Sequence, residues 1–185
     1  MDFLQAHPNG YSLALDELSL YFQASLMRVW FPVGQTPVVR ISPQRDHIHF
    51  YGALNLTTGQ ELALSLPGLS ADYTAHFLKH VLDCLPTRPI LLLMDRAPWH
   101  KAESLRQFIA LEPRLDGVYF PPACPDLNPQ QHIWKLARQA ICHHHTFPVF
   151  PALCRAFSAF LDTTLFHFDW FRQYVPPVLR PFVLA

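Results

Sequence analysis

Two aspartates stand where a carboxylate could do chemistry. Asp16 follows the apolar run Leu13-Ala14-Leu15, and Asp95 follows the apolar run Ile90-Leu91-Leu92-Leu93-Met94. A carboxylate at the end of a buried strand is held rigidly at the edge of a sheet, where sheets with parallel strands keep their sites. If the two strands are neighbours, the carboxylates converge. Their repulsion then calls for a cation, and hard oxygen donors select Mg²⁺ or Mn²⁺. Two such ions can activate an attacking oxygen and stabilise a leaving one during phosphodiester cleavage. Taken singly, either aspartate reads more readily as a turn residue or a helix cap.

A third ligand would come from a helix packed over the sheet edge, and Pro121 to Lys135, PPACPDLNPQQHIWK, has the form of such a corner. The strand-like Val118-Tyr119-Phe120 breaks at Pro121, Pro122 and Pro125, and a helix restarts at Asn128-Pro129, a favoured N-cap followed by a favoured first residue. The side chain aimed at the site is Gln131, whose amide offers one neutral oxygen and no carboxylate charge. At the third helical position Gln131 also suits a capping box with Asn128, and that role takes precedence over a catalytic one. Lys135 and Arg138 follow at i+4 and i+7 on the same face and could hold a DNA phosphate, or simply form a solvated polar face. His100, five residues after Asp95, could meet a phosphate or serve as a cap or core residue. Arg96 could pair with Asp95 or with DNA. His143-His144-His145 cannot all face one ion and reads as the end of a helix.

The elements that must position these groups follow from periodicity. Tyr11–Leu15, 47–54 and 60–66 read as strands, the last two joined by a Thr57-Thr58-Gly59 turn, which suggests an antiparallel meander. Ser70 can cap a helix with Tyr73, Phe77, Leu78, Val81, Leu82 and Leu85 on one face. Residues 90–94 form a central strand, 101–111 a helix, 118–120 a strand, and two helices follow, the last over 151–168. The order β-β-β-α-β-α-β-α-α implies one mixed sheet covered by helices, an α/β plan that is the ordering of the ribonuclease H-like fold. Residues 1–10 read as a loose lead-in.

Bulk composition limits the partners. The chain has 185 residues, half of them apolar, enough for a full core. Fourteen basic and 14 acidic residues leave no bulk attraction for nucleic acid, so any such binding needs a local patch or another domain. Four scattered cysteines with no C-x-x-C pair favour reduced thiols over disulfides or a zinc site. No apolar stretch approaches the ~18 residues of a membrane span, and no signal sequence is evident, so the expected location is cytoplasmic, with no membrane partner.

Four segments together resemble the IS630 group of the IS630/Tc1/mariner transposases. They are LDELSLY around Asp16, VWFPVGQTPVVR at 29–40, LLLMDRAPWHKA at 91–102 and FPPACPDLNPQQHIWKLAR at 120–138. The resemblance runs from about Tyr11 to His145. It implies a ribonuclease H-like catalytic domain over 11–147, with 148–185 a C-terminal helix and tail on the same domain. It also implies a DDE or DDD triad in which Asp16 and Asp95 match the first two acids and Gln131 falls on the third. Asp126 and Glu17 match acidic neighbours of the family's ligands rather than the ligands themselves. The implied cofactor is a two-metal Mg²⁺ or Mn²⁺ site, weakened by Gln131. The implied activity is hydrolysis at transposon ends and strand transfer, with transposon-end and target DNA as partners and a dimer as the intact assembly. Only ten residues precede the first strand, so the family's N-terminal helix-turn-helix domains are expected to be absent. The alternative is a non-catalytic remnant that retains DNA or subunit contacts.

Overall fold

A computed structural model describes residues 2–22, 33–34, 45–122, 127–143 and 145–166. Its elements are α1 (Asp2–Ala6), β1 (Tyr11–Tyr21), β2 (His47–Asn55), β3 (Glu61–Leu66), α2 (Ala71–Cys84), β4 (Ile90–Met94), α3 (Glu103–Leu111), β5 (Leu115–Tyr119), α4 (Pro129–Ala137) and α5 (Phe150–Thr163). A π turn, Arg138–Cys142, extends α4. The strands form a single five-stranded sheet in the order β3-β2-β1-β4-β5. β1, β2 and β3 pair antiparallel, whereas β4 joins β1 in parallel and β5 joins β4 in parallel. The expected meander and the alternating units after it are both present.

Sheet alternation sorts the core into two layers. Leu13, Leu15, Tyr51, Ile90, Leu92 and Met94 face α2 and α3, where they meet Phe77, Leu78, Val81 and Leu105. Leu18, Leu20, Phe50 and Leu54 face α4 and α5, where they meet Ile133, Trp134, Leu153 and Phe157. β4 is covered on both sides, which is why it reads as an unbroken apolar run. Ser70 caps α2 as expected, its Oγ accepting from the Tyr73 amide at 3.2 Å. In the β2–β3 turn Asn55 Oδ1 accepts from the amides of Thr57 and Thr58, and Gly59 takes φ 74°.

Several expectations shift. β1 does not stop at Leu15 but runs to Tyr21, because β2 pairs along it from Leu13↔Asn55 to Tyr21↔His47. Asp16 therefore sits within a strand, and at the end only of the part that β4 accompanies. The lead-in contains the short helix α1. β5 starts three residues earlier than the apolar run suggested, and α5 ends at Thr163, after which Leu165 forms a bridge with Gln60. Asp126, Cys124, most of the 29–40 segment and the tail beyond 166 lie outside the described residues. Cys84, Cys142 and Cys154 are free thiols. No described helix is long and apolar enough to cross a membrane.

Gly52 is the point where α4 meets the sheet. It pairs with Asp16 on one side and Ala63 on the other. A Cβ at this position would collide with the Gln130 and Glu61 side chains and the Trp134 ring. Gly52→Ala is expected to lower stability by about 1–3 kcal/mol through this overpacking. Urea denaturation checks it, and an unchanged midpoint would show that α4 is not seated on this glycine.

Candidate active site

Parallel pairing of β1 with β4 runs from Tyr11↔Ile90 to Ala14↔Leu93. Two residues beyond the last paired residues stand Asp16, within β1, and Asp95, the first residue after β4. The aspartates sense each other electrostatically. Burial pushes the Asp16 carboxyl up to about 7, and the negative charges of Glu17 and Asp95 add to the rise.

α4 brings the third position. Asn128 caps it as expected, its Oδ1 accepting from the Gln130 amide at 3.1 Å, while its Nδ2 donates to the Leu15 carbonyl at 2.9 Å. The N-cap is thereby tied to the backbone next to Asp16. The expected capping box does not form: Gln131 is exposed, and no described hydrogen bond returns from its side chain to Asn128. Asn128 instead caps through Gln130, which leaves Gln131 on a groove of about 510 Å³ that it shares with Asp16, Glu17, Lys135, Arg138 and His143. Lys135 and Arg138 thus do share the face of Gln131. Arg138 also donates to the Ser19 carbonyl at 3.0 Å. Asp95 is not among the groove's lining residues.

The β4–α3 connection, 95–102, folds over the strand ends and closes a second cluster. The His100 side chain is fully buried and lies between two carboxylates, with Nδ1 2.6 Å from Asp95 Oδ1 and Nε2 2.9 Å from Glu17 Oε1. Trp99 Nε1 donates to Glu17 Oε2 at 3.2 Å, and the Ala97 amide donates to Asp95 Oδ1 at 2.9 Å. Burial opposes a charge on His100, but the hydrogen bonds and charges of Asp95 and Glu17 prevail and push its pKa up to about 10. The His100 hydrogen bond in turn holds the Asp95 carboxyl below its ordinary value. Two expectations are corrected here. His100 is turned inward with both ring nitrogens engaged, so it presents nothing to a DNA phosphate. Arg96 does not pair with Asp95; its Nε donates to the Phe120 carbonyl at 3.0 Å, and its exposed side chain lies beyond the end of β5.

Sequence reasoning missed a further pair beneath α4. Glu61 of β3 and Gln130 of α4 are both buried, and Gln130 Nε2 donates to Glu61 Oε1 at 2.6 Å. Burial pushes the Glu61 carboxyl well above its ordinary value. Glu61 Oε2, Gln130 Oε1 and Trp134 Nε1 have no hydrogen-bond partner among the described residues. No single-sequence signal marks this contact, since the partners are 69 residues apart.

Comparison with known proteins agrees with this geometry. A family model described as DDE superfamily endonuclease matches residues 12–154. A Shigella sonnei protein described as insertion element IS630 uncharacterized 39 kDa protein is 22% identical over 161 residues, covering 85% of this chain. The matched region is 45% of that relative, so the chain spans less than half of its length. Among solved structures, the Mos1 transposase paired-end complex with left transposon end superposes at a TM-score of 0.65, with 15% identity, over 83% of this chain and 48% of that one. The Mos1 transposase catalytic domain with raltegravir and Mn gives 0.59 and 13%, over 83% and 70%. At these identities the structural likeness establishes the fold, which is ribonuclease H-like.

Glu61 makes a testable mark on stability. A carboxyl whose pKa is raised on folding contributes stability that is fully present below its unfolded value, near 4.5, and is lost as pH rises through the folded value. Relative to Glu61→Gln, the natural chain is therefore expected to lose stability progressively above pH 4.5. Denaturation curves collected across pH 4.5–8 test this, and parallel stability profiles for the two proteins would refute it.

Proposed function

The chain belongs to the DDE superfamily of endonucleases, in the IS630/Tc1/mariner group, and on that premise we propose that it is the catalytic core of a DNA transposase. In this reading Asp16 and Asp95 hold the divalent cation for phosphodiester hydrolysis and strand transfer. What supports it is that Asp16 and Asp95 each follow by two residues the last paired residues of β1 and β4, that the charge of Asp95 bears on Asp16, and that Gln131 lines the groove with Asp16.

The donor set fits one hard divalent cation. Burial raises Asp16 most, and the charges of Glu17 and then Asp95 add to it; a cation held by the two aspartates would relieve that repulsion. Among the described residues no group of three or more His, Cys, Asp or Glu side chains is arranged to hold a metal. Asp16 and Asp95 would therefore hold a single Mg²⁺ or Mn²⁺, with the neutral amide oxygen of Gln131 as third donor. Among the described residues no further carboxylate joins them to hold a second ion. The cation's contribution when bound is to polarise the phosphoryl oxygen and stabilise charge on the leaving oxygen. Lys135 and Arg138 hold the DNA backbone along the groove and orient the scissile phosphate toward the aspartates. Gln131 favours a second reading, in which the chain keeps these DNA or subunit contacts and has lost catalysis.

Two experiments test these roles. Gln131→Glu is expected to tighten Mn²⁺ binding by at least about tenfold, equivalent to about 1.4 kcal/mol, and to raise supercoiled-plasmid nicking above that of the natural chain. Equal Mn²⁺ binding by both proteins, measured by calorimetry, would remove position 131 from the ligand set. Efficient nicking by the natural chain would dismiss the second reading. For the groove, Lys135→Ala with Arg138→Ala should weaken duplex DNA binding evenly across sequences. It should also flatten the slope of log K against log salt by about one to two. An unaltered slope would place the DNA elsewhere.

A further inference from the structure

The geometry points to Glu17 and His100 as positioning residues for Asp95, a clamp that fixes which carboxylate oxygen the site presents to its cation. This rests on the reading of Asp95 as a metal-holding carboxylate.

Asp95 stands at the start of a connection rather than inside a strand, and its side chain is 43% exposed. Left alone, such a carboxylate samples several rotamers and offers either oxygen. Here two donors, the Ala97 amide and His100 Nδ1, converge on Oδ1, and no described hydrogen bond reaches Oδ2. Oδ2 is thus the oxygen left to take a cation. The ring that supplies the second donor is itself held. His100 Nε2 donates to Glu17 Oε1, Trp99 Nε1 donates to Glu17 Oε2, and Tyr119 Oη donates to the His100 carbonyl at 2.7 Å. Every polar atom of the His100 ring and both Glu17 oxygens have partners, and their side chains are 0% and 6% exposed.

Position in the sheet explains why Glu17 is available for this. Asp16 and Glu17 are consecutive on a strand, so they point to opposite faces. Asp16 faces the groove under α4. The Glu17 side chain points to the α2–α3 side, although the residue also borders the groove, at the level where β4 has already ended and the 95–102 connection crosses the sheet. His100 reaches Asp95 with one nitrogen and Glu17 with the other, so the neighbour of one aspartate steadies the other. Both acceptors are carboxylates, so both ring nitrogens donate. Carboxylate and histidine partners behind a ligand typically change metal affinity by about 10–100-fold when removed.

The test separates orientation from folding by splitting the two ring nitrogens. An Asn amide can place its NH₂ near the position of Nδ1, and a Gln amide near that of Nε2. Mn²⁺ affinity is measured by calorimetry on the full chain and on its Gln131→Glu form, with thermal melts alongside. His100→Gln, which loses the bond to Asp95, should weaken Mn²⁺ binding by about tenfold or more, as should Glu17→Ala, whereas His100→Asn should stay within about threefold of the parent. Both His100 variants lose one buried bond, so comparable melting temperatures with divided affinities would establish the clamp. Equal Mn²⁺ affinities for His100→Asn and His100→Gln, with Asp95→Asn still abolishing binding, would overturn the clamp and leave Asp95 as a ligand. Mn²⁺ binding unaffected by Asp95→Asn, or absent from both parent proteins, would overturn the ligand reading and the clamp with it.

Discussion

Residues 11–14 of β1 run alongside residues 90–93 of β4 in a short parallel ladder, and the candidate site exists only because that ladder holds its register. In between come the rest of β1, β2, β3 and α2, so the pairing joins segments far apart in sequence. The register is strongly specified. Both strands are buried on both faces, and a slip of one residue would send every side chain to the wrong layer. With β1 slipped, Leu13 would leave the α2–α3 layer and Asp16 would shift relative to Asp95. The same burial that stabilises the sheet therefore fixes where Asp16 stands relative to the end of β4.

α4 depends on a different kind of contact. Its inner face carries Ile133, Trp134 and Ala137, as expected of an amphipathic helix, but also Gln130, fully buried against Glu61. A buried polar group without a partner costs about 1–3 kcal/mol, so this cluster is an expensive way to hold a helix. What it provides is direction. Apolar packing tolerates small rotations, whereas a 2.6 Å amide–carboxyl bond beside a glycine does not. The next residue, Gln131, is thereby turned out of the core and into the groove.

Much of this was legible in the residues. The continuous apolar run 90–94 read as a strand covered on both faces, and Asn128-Pro129 marked the start of α4 through local capping chemistry. The face shared by Gln131, Lys135 and Arg138 followed from helical spacing. The rest depended on separation. Glu17 meets His100 across 83 residues, and no local pattern distinguishes a buried clamp from an exposed acid and a helix-capping histidine. The end of β1 was not readable for the same reason, because its pairing with β2 carries it on to Tyr21. The capping box is missing because Asn128 Oδ1 takes the amide of Gln130 rather than that of Gln131, and the Gln131 side chain lies exposed on the groove.

The π turn after α4 changes how the helix can be altered. Its closing bond, from the His143 amide to the Arg138 carbonyl at 3.1 Å, spans five residues where an α-helix spans four. One residue is in effect inserted, and everything after it is rotated by about 100° relative to an uninterrupted helix. Removing a single residue from Gln139–Ile141 would let the α-helical ladder continue, and the chain could remain well folded locally. Yet Cys142, His143 and the approach to α5 would turn by more than a quarter of a circle, carrying His143 off the groove. This segment is therefore a phase setter, in which a deletion would do more harm than most substitutions.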